Sequence, residues 1–206
     1  MRARRLRRFI SYLLMAGGAL LCFWGARDVV ESRLGQTAAE RQFQVAPIPR
    51  PSPFTDSDSP KGASSRSLPQ PGDSIAKLTI PRLDTELYVV EGDGTRELRR
   101  GPGHVRGTAM PGGDGNCIIA GHRDTHFRVL KDIRKGDEIR LETRAGEYTY
   151  RVENTQVVSP SNTKSLRPSR DAELHLITCY PFYYLGSAPK RFIVEAQLVQ
   201  QGVPVE

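Results

Sequence analysis

A dense series of short apolar segments begins near Ser74 and restricts the possible fold more than any other feature. The segments cover about residues 75–80, 86–90, 116–122, 138–143, 148–158, 173–177 and 191–196. Residues 144–147, Arg-Ala-Gly-Glu, suit a hairpin turn between two of them. Helical signals are confined to about residues 95–100 and 126–133. Many short strands with little helix predict a mostly β domain, a closed or nearly closed barrel at 74–201, followed by a tail at 202–206.

The N-terminal region contains a long run without charged residues. As a helix, residues 9–26 would span about 27 Å at about 1.5 Å per residue, which is just enough for a bilayer core. Five arginines lie in residues 1–8, and positive charge beside a membrane span favours the cytoplasmic side. We therefore expect a cytoplasmic segment at 1–8, a single-pass transmembrane anchor in the cell membrane at 9–26, and the C-terminal bulk of the chain outside the cytoplasm. A cleaved signal peptide is the alternative, although no clean small-x-small cleavage site follows the run.

Two further segments separate this anchor from the β domain. Residues 27–45 carry spaced apolar residues among charged ones, including Val30, Leu34, Ala38 and Phe43. This pattern predicts a weakly amphipathic helical stalk. Residues 46–73 are rich in Pro, Ser and Asp, with few large apolar side chains. Such a segment cannot bury enough surface to fold, so it is predicted to be a linker.

The positive charge of the chain does not indicate nucleic-acid binding. The formal net charge is +7, and the arginines of residues 1–8 supply five of those charges. The remainder shows no basic helix and no interleaving of basic and aromatic residues, so we expect no nucleic-acid partner. The three cysteines form no Cys-x-x-Cys pair, which argues against a disulfide framework and against a zinc ribbon.

Cys179 lies where a predicted strand gives way to a loop. Arg191 follows twelve positions later, at the start of the next strand, and His122 ends another apolar strand. If these strands are neighbours, a Cys–His pair can act as nucleophile and acid/base, and an arginine can stabilise an oxyanion. Alone, Cys179 is more simply a buried cysteine at a strand end. Together with His122 and Arg191 it indicates a cysteine acyl-transfer site.

Five short motifs surround these residues. They are Gly103-His104-Val105, Gly115-Asn116, Ala120-Gly121-His122-Arg123-Asp124-Thr125, Ile177-Thr178-Cys179-Tyr180-Pro181-Phe182 and Gly186-x-Ala188-Pro189-x-Arg191-Phe192. Their order and spacing over about residues 74–200 resemble the sortases, most closely the class D group. The N-terminal anchor and linker also look like the arrangement of that family. One departure is His126, where the resemblance leads us to expect an aromatic residue.

The resemblance implies an eight-stranded sortase-type barrel and a membrane-bound transpeptidase. Such an enzyme cleaves a C-terminal sorting signal, at a Thr–Gly bond, and transfers the acyl group to an amine. Cys179 matches the family's nucleophile, His122 its catalytic histidine, and Arg191 the arginine that positions substrate. Thr178 matches a supporting threonine. The implied partners are proteins with a sorting signal, an amine acceptor such as a cell-wall peptide or a pilin lysine, and the membrane; no cofactor is implied.

Asp124 and His104 have less specific signals. Asp124 could orient His122, although a structural hydrogen bond or turn role is at least as consistent with its position. His104 follows Gly-Pro-Gly and is expected to support a loop, or alternatively to line the substrate groove.

A zinc site is a second interpretation of the same region. His122 and His126 have His-x3-His spacing, and Cys117 is close in sequence. In an extended strand, however, Cys117 and His122 point to opposite faces. We therefore expect no metal.

Three function classes follow from these residues. The first is a transpeptidase, and the second is another cysteine enzyme, including a peptidase that uses water as acceptor. The third is a catalytically silent, membrane-tethered domain that binds peptides. The Ser-His-Gly-Cys setting of wall-acting L,D-transpeptidases is absent. The joint presence of Cys179, His122 and Arg191 favours the first class.

Overall fold

The computed structural model describes residues 2–45, 68–162, 167–184 and 186–202. Of the linker predicted at 46–73, residues 46–67 lie outside the described residues, as do residues 203–206 of the predicted tail. The first strand begins at Ser74, after a short turn.

The described chain consists of one long helix followed by strands and short helical segments. The α-helices are α1 (Arg2–Val45) and α2 (Thr95–Arg100), and 3₁₀ helices cover Pro81–Leu83 and His126–Asp132. The strands are β1 (Ser74–Ile80), β2 (Thr85–Glu91), β3 (Gly103–His104), β4 (Asn116–Gly121), β5 (Glu138–Thr143), β6 (Gly146–Val158), β7 (Glu173–Tyr180) and β8 (Lys190–Gly202).

The strands close into a barrel in the order β1-β2-β3-β4-β7-β8-β6-β5. This confirms the predicted closed eight-stranded barrel. Alternate residues of a strand share one face, and Ala76, Leu78 and Ile80 of β1 are fully buried. Leu78 pairs with Leu87 of β2 on one side and with Leu141 of β5 on the other. Because side chains fill the interior, polar chemistry has to lie at the ends of the strands.

Two features of the topology determine where these strand ends meet. Strands β4 and β7 are parallel neighbours, so their C-terminal ends lie at the same end of the barrel. Strand β8 is antiparallel to β7, so its N-terminal end lies there too. Three adjoining strands therefore place one terminus each at a single rim of the barrel.

Helix α1 runs through both segments that the sequence predicted as anchor and stalk, and its second half packs against the barrel. The side-chain amide of Gln36 donates to the carbonyl oxygens of Tyr88 (3.0 Å) and Arg100 (2.8 Å), and accepts from the Tyr88 amide (2.7 Å). Ala39 is fully buried in an apolar cluster with Tyr88 and Val90. In the described part of the chain, no helix combines the length and apolar character needed to cross a membrane.

A glycine allows α1 to approach the barrel this closely. A Cβ atom at Gly35 would lie 2.5 Å from the Arg100 Cα atom and 2.9 Å from its carbonyl oxygen. Such distances to backbone atoms are too short for a side chain, so only glycine fits without a shift of α1 or α2. Gly35 therefore sets the separation between α1 and the C-terminal end of α2.

We expect Gly35→Ala to weaken this docking by about 1–3 kcal/mol, because the added methyl group overpacks a contact with backbone. Hydrogen exchange of the α1 amides in the full-length protein measures the effect. Gly18→Ala is the matched control, since no atom lies within 4 Å of the corresponding Cβ position. Equal protection of α1 in the two variants would contradict the role of Gly35.

Candidate active site

The strand register brings the three predicted catalytic residues together. Cys179 of β7 and Arg191 of β8 are directly opposite each other in the antiparallel ladder. On the other side of β7, Thr178 pairs with Gly121, the last residue of β4, so His122 follows immediately. Neighbouring strands lie about 4.8 Å apart. Cys179, Arg191 and His122 are therefore adjacent across three strands at one rim of the barrel.

Thr178 joins β7 to β4 immediately before both reactive residues. Its Oγ1 atom donates a 2.7 Å hydrogen bond to the Gly121 carbonyl oxygen, and the residue is 2% exposed. A buried hydrogen bond between two strand ends resists sliding of one strand past the other. Gly121 is also packed closely, because a Cβ atom there would lie 2.6 Å from the Phe127 ring. This packing fixes the point at which His122 leaves β4.

The three cysteines are all free but differ in exposure. Cys22 is exposed, Cys117 is buried, and Cys179 is intermediate. Burial, with a smaller contribution from the negative charge of Glu91, raises the pKa of Cys117 to about 12. Cys117 is therefore an inert thiol of the core, while Cys179 is the partly exposed cysteine at the barrel rim.

Arg191 is held by backbone groups, which leaves its charge available. Its Nη1 atom donates to the carbonyl oxygens of Lys190 (3.0 Å) and Ala188 (3.4 Å). No carboxylate among the described residues forms an ion pair with it. A guanidinium that is positioned but not neutralised can stabilise negative charge developing near the opposite residue, Cys179.

An aromatic cluster forms one wall beside Cys179. The ring centroids of Phe182 and Phe192 are 5.3 Å apart, and Tyr180 lies 5.9 Å from Phe182 and 6.4 Å from Phe192. Phe182 and Phe192 also pack against the barrel core. The site therefore has a rigid apolar surface on the β7–β8 side, next to the thiol.

His104 lies in a buried hydrogen-bonded pair. Its Nδ1 atom is 2.8 Å from a carboxylate oxygen of Glu91, and both side chains are less than a tenth exposed. Its Nε2 atom lies 3.0 Å from the Ala109 carbonyl oxygen and 3.1 Å from the Thr108 hydroxyl. His104 is thus in contact with the turn after β3, and its supporting role stays a prediction.

Asp124 is exposed, two residues after His122. In the described part of the chain, no hydrogen bond joins Asp124 to His122. The structure therefore places Asp124 beside the candidate histidine without showing that it orients the ring.

His126 belongs to the interface with α1. Its Nε2 atom lies 3.2 Å from the Ser32 hydroxyl, and it is 7% exposed. Burial lowers the pKa of His126 to about 4, and the nearby His122 also lowers it, so the ring is neutral at neutral pH. Among the residues that the structure describes, no group of three or more His, Cys, Asp or Glu side chains is placed to hold a metal ion.

Arg123 was not singled out by the sequence analysis, yet it joins two parts of the site. Its Nη2 atom donates to the carbonyl oxygens of Tyr184 (2.8 Å) and Gly186 (2.9 Å), and its guanidinium lies 5.8 Å from the Tyr184 ring centroid. Arg123 thereby ties the segment after His122 to the loop between β7 and β8. Its position next to His122 was the only sequence signal, and the contact spans 61 residues.

A thiol, an imidazole and a guanidinium at adjoining strand ends of a β-barrel define a cysteine acyl-transfer enzyme. The Sortase domain family model matches residues 78–199. Sortase D of Bacillus subtilis is 31% identical over 198 residues, which cover 94% of this chain and all of that protein. The chain belongs to the sortase family of cysteine transpeptidases, which confirms the resemblance seen in the sequence.

Solved structures show the same fold. A sortase D transpeptidase from Clostridium perfringens superposes with a TM-score of 0.65 at 24% identity, covering 83% of this chain and 99% of that chain. The catalytic domain of SrtD from Bacillus anthracis gives a TM-score of 0.58 at 32% identity, covering 68% of this chain and 97% of that one.

We expect Thr178→Val to lower kcat/KM for acyl transfer about 10-fold, because it removes the bond that aligns the two strand ends. The free energy of unfolding should fall by about 1 kcal/mol. Thr178→Ser retains the hydroxyl and is the matched control, with activity close to that of the unmodified protein. If valine and serine variants are equally active, the bond does not position the site.

Proposed function

We propose that the protein is a membrane-anchored sortase that cleaves a C-terminal sorting signal at a Thr–Gly bond and transfers the acyl part to an amine. Its substrates are proteins that bear this signal. The observation that supports the proposal most strongly is the adjacency of Cys179, Arg191 and His122 across β7, β8 and β4.

In the first half-reaction, the Cys179 sulfur attacks the carbonyl carbon of the threonine and a C–S bond forms. The Cys179 thiol proton passes to His122. The tetrahedral intermediate then breaks its bond to the glycine nitrogen, which takes that proton from His122 and leaves as an amine. The products are a thioester on Cys179, a neutral His122 and the released C-terminal peptide.

In the second half-reaction, an amine attacks the thioester carbon. A C–N bond forms, the C–S bond breaks, and His122 accepts a proton from the amine and returns it to the Cys179 sulfur. The amine comes from an acceptor such as a cell-wall peptide or a pilin lysine. Water in the same position would give hydrolysis, and the protein would then act as a cysteine peptidase.

We assign to Arg191 the stabilisation of the negatively charged oxygen in both tetrahedral intermediates. It lies opposite Cys179, and its bonds to the carbonyl oxygens of Lys190 and Ala188 restrict its position. Charged groups that are already in position before the reaction do not have to reorient when charge develops, so they stabilise that charge without a cost in reorganisation energy. This makes the guanidinium effective at the site.

We also propose that residues 9–26 anchor the protein in the cell membrane, with the N-terminus cytoplasmic and the catalytic domain outside. These residues contain no charge, and arginines precede them. Large apolar side chains on this part of α1 are 61–76% exposed, namely Leu13, Leu14, Leu20, Leu21 and Phe23. A run of exposed apolar side chains is more stable in lipid than in water.

Intact mass spectrometry of the full-length protein in detergent tests the reaction. The protein is incubated with a peptide library centred on Pro-x-Thr-Gly and Ala-x-Thr-Gly. We expect an adduct with the mass of the N-terminal peptide fragment on Cys179, because the thioester persists until an acceptor arrives. Added amine should discharge the adduct and yield the joined product.

Two cysteine variants provide the controls. Cys179→Ala should form no adduct, while Cys22→Ala removes the exposed cysteine and should react like the unmodified protein. Discharge by water with no amine product would identify a peptidase. Peptide binding without any adduct would identify a silent binding domain and contradict the proposal.

A further inference from the structure

Helix α1 lies along the side of the barrel and makes contacts near both of its ends. Toward the C-terminus of the helix, the Gln42 side chain donates to the Asp73 carboxylate (3.1 Å) and accepts from the Ser74 amide (3.2 Å). Toward its N-terminus, the Ser32 hydroxyl lies 3.2 Å from His126 Nε2. The part of α1 between these two contacts spans about 15 Å at about 1.5 Å per residue.

The two contacts mark opposite rims of the barrel. Strand β1 runs in the same direction as β4, because β1 and β2 are antiparallel, β2 and β3 are parallel, and β3 and β4 are antiparallel. Ser74, the first residue of β1, therefore lies at the rim where β4 begins. His126 follows the other end of β4, at the rim that carries His122 and Cys179. In the direction of its N-terminus, α1 consequently leaves the barrel at the active-site rim.

The proposed membrane anchor begins a short distance beyond this rim. Helix α1 is continuous from Arg2 to Val45, and the uncharged run ends at Ala26, on the N-terminal side of Ser32. The helix between Ala26 and Ser32 spans about 9 Å. If residues 9–26 lie in the bilayer, the active-site rim is the end of the barrel nearest to the lipid, and the opposite rim points away from it.

The chain segments at the active-site rim are basic. Residues 122–135 and 180–191 contain seven arginines and lysines but only two aspartates. Two of the cations, Lys131 and Lys135, form ion pairs with carboxylates. One of those carboxylates belongs to the first segment, so Asp124 is the one acidic residue left to oppose the other cations. These two segments therefore keep a net positive charge after their ion pairs are counted.

Exposed aromatic rings lie beside exposed cations on this surface. The Tyr183 and Tyr184 side chains are 72% and 47% exposed, and the Arg128 guanidinium lies 5.6 Å from the Tyr183 ring centroid. Arg128 and Lys190 are exposed, and neither forms an ion pair within the described part of the chain. Tyrosine is enriched at membrane–water interfaces, and basic side chains are attracted to anionic lipids. Arg128, Tyr183, Tyr184 and Lys190 together form the rim patch.

We propose that the active-site rim faces the membrane and that the rim patch binds the headgroups of anionic phospholipids. The inference rests on the proposed anchor at 9–26 and adds to it the orientation of the catalytic domain. A separation of about 9 Å is close to the Debye length of about 8 Å at physiological ionic strength, so the attraction is only partly screened. His122 and Cys179 then act close to the lipid surface.

Quenching of a fluorescent label by lipids that carry a spin label on the headgroup tests the orientation. The full-length protein, with its three cysteines replaced by alanine, is inserted into phosphatidylglycerol nanodiscs. The label is attached at Ser187→Cys beside the rim patch, or at Ala145→Cys in the turn at the opposite rim; both positions are exposed. Because the rims are about 15 Å apart, quenching should be about 3-fold stronger at position 187. Equal quenching at the two positions, or stronger quenching at 145, would overturn the proposed orientation.

Charge removal tests the lipid chemistry with the label at position 187. Arg128→Gln combined with Lys190→Gln should lower quenching in phosphatidylglycerol about 2-fold, toward the value in phosphatidylcholine, because the attraction to anionic headgroups is lost. Arg106→Gln combined with Arg144→Gln is the matched control, since both residues are exposed and lie in loops at the opposite rim. This control should leave quenching unchanged.

The remaining outcomes separate this inference from the proposed function. Quenching that is equal in the two lipids and insensitive to Arg128→Gln with Lys190→Gln would overturn the lipid contact and favour an acidic protein or peptide on the rim patch. A protein that does not insert into nanodiscs would overturn the proposed anchor, and this inference with it. The mass-spectrometric assay of the unmodified protein tests the acyl-transfer reaction independently of either result.

Discussion

The parallel pairing of β4 with β7 is the constraint on which the site depends. It places Gly121 beside Thr178, and hence His122 and Cys179 at the same end of the barrel. Successive side chains of a strand point to opposite faces, so a slip of one residue would turn Cys179 or His122 away. The buried bond from Thr178 to the Gly121 carbonyl oxygen, at 2.7 Å, acts directly against such a slip. The catalytic geometry is thus a property of the barrel and not of flexible loops.

The second organising contact is the packing of α1 on the barrel. A helix that is continuous from Arg2 to Val45 and docked through Gly35 and Gln36 cannot swing freely about the catalytic domain. The docked half of α1 lies beside the segment that follows His122, through the contact of Ser32 with His126.

Much of the fold and the central site could be predicted from the sequence because their signals are local. Period-two alternation with Gly and Pro turns identified most strands, and the Cys179–Arg191 spacing lies within one strand-loop-strand unit. The short strand at Gly103–His104 was missed, because two residues carry no periodicity and their stability comes from Glu91, 13 residues upstream. Long-range pairing of this kind leaves no pattern along the chain.

The docking face of α1 could not be predicted for a related reason. The apolar pattern pointed to Val30, Leu34, Ala38 and Phe43; the first three are exposed, while Phe43 packs against the cluster of Ala39, Tyr88 and Val90. The buried positions are instead Gly35 and Ala39, with the Gln36 amide between them. Small residues and a glutamine give no hydrophobic signal. Their contribution to docking depends on contacts with backbone atoms of β2 and α2, whose positions the sequence does not reveal.

Disulfide trapping tests the central claim, that His122 and Cys179 are adjacent across β4 and β7. A His122→Cys variant, in a background with Cys22 and Cys117 replaced by alanine, is exposed to mild oxidant. A disulfide needs Cα atoms about 4.4–6.8 Å apart, which neighbouring strands satisfy. We expect rapid loss of Cys179 labelling and a mass decrease of two hydrogens, while Glu138→Cys on β5 in the same background leaves Cys179 free. Full labelling of Cys179 in the oxidised His122→Cys variant would contradict the account.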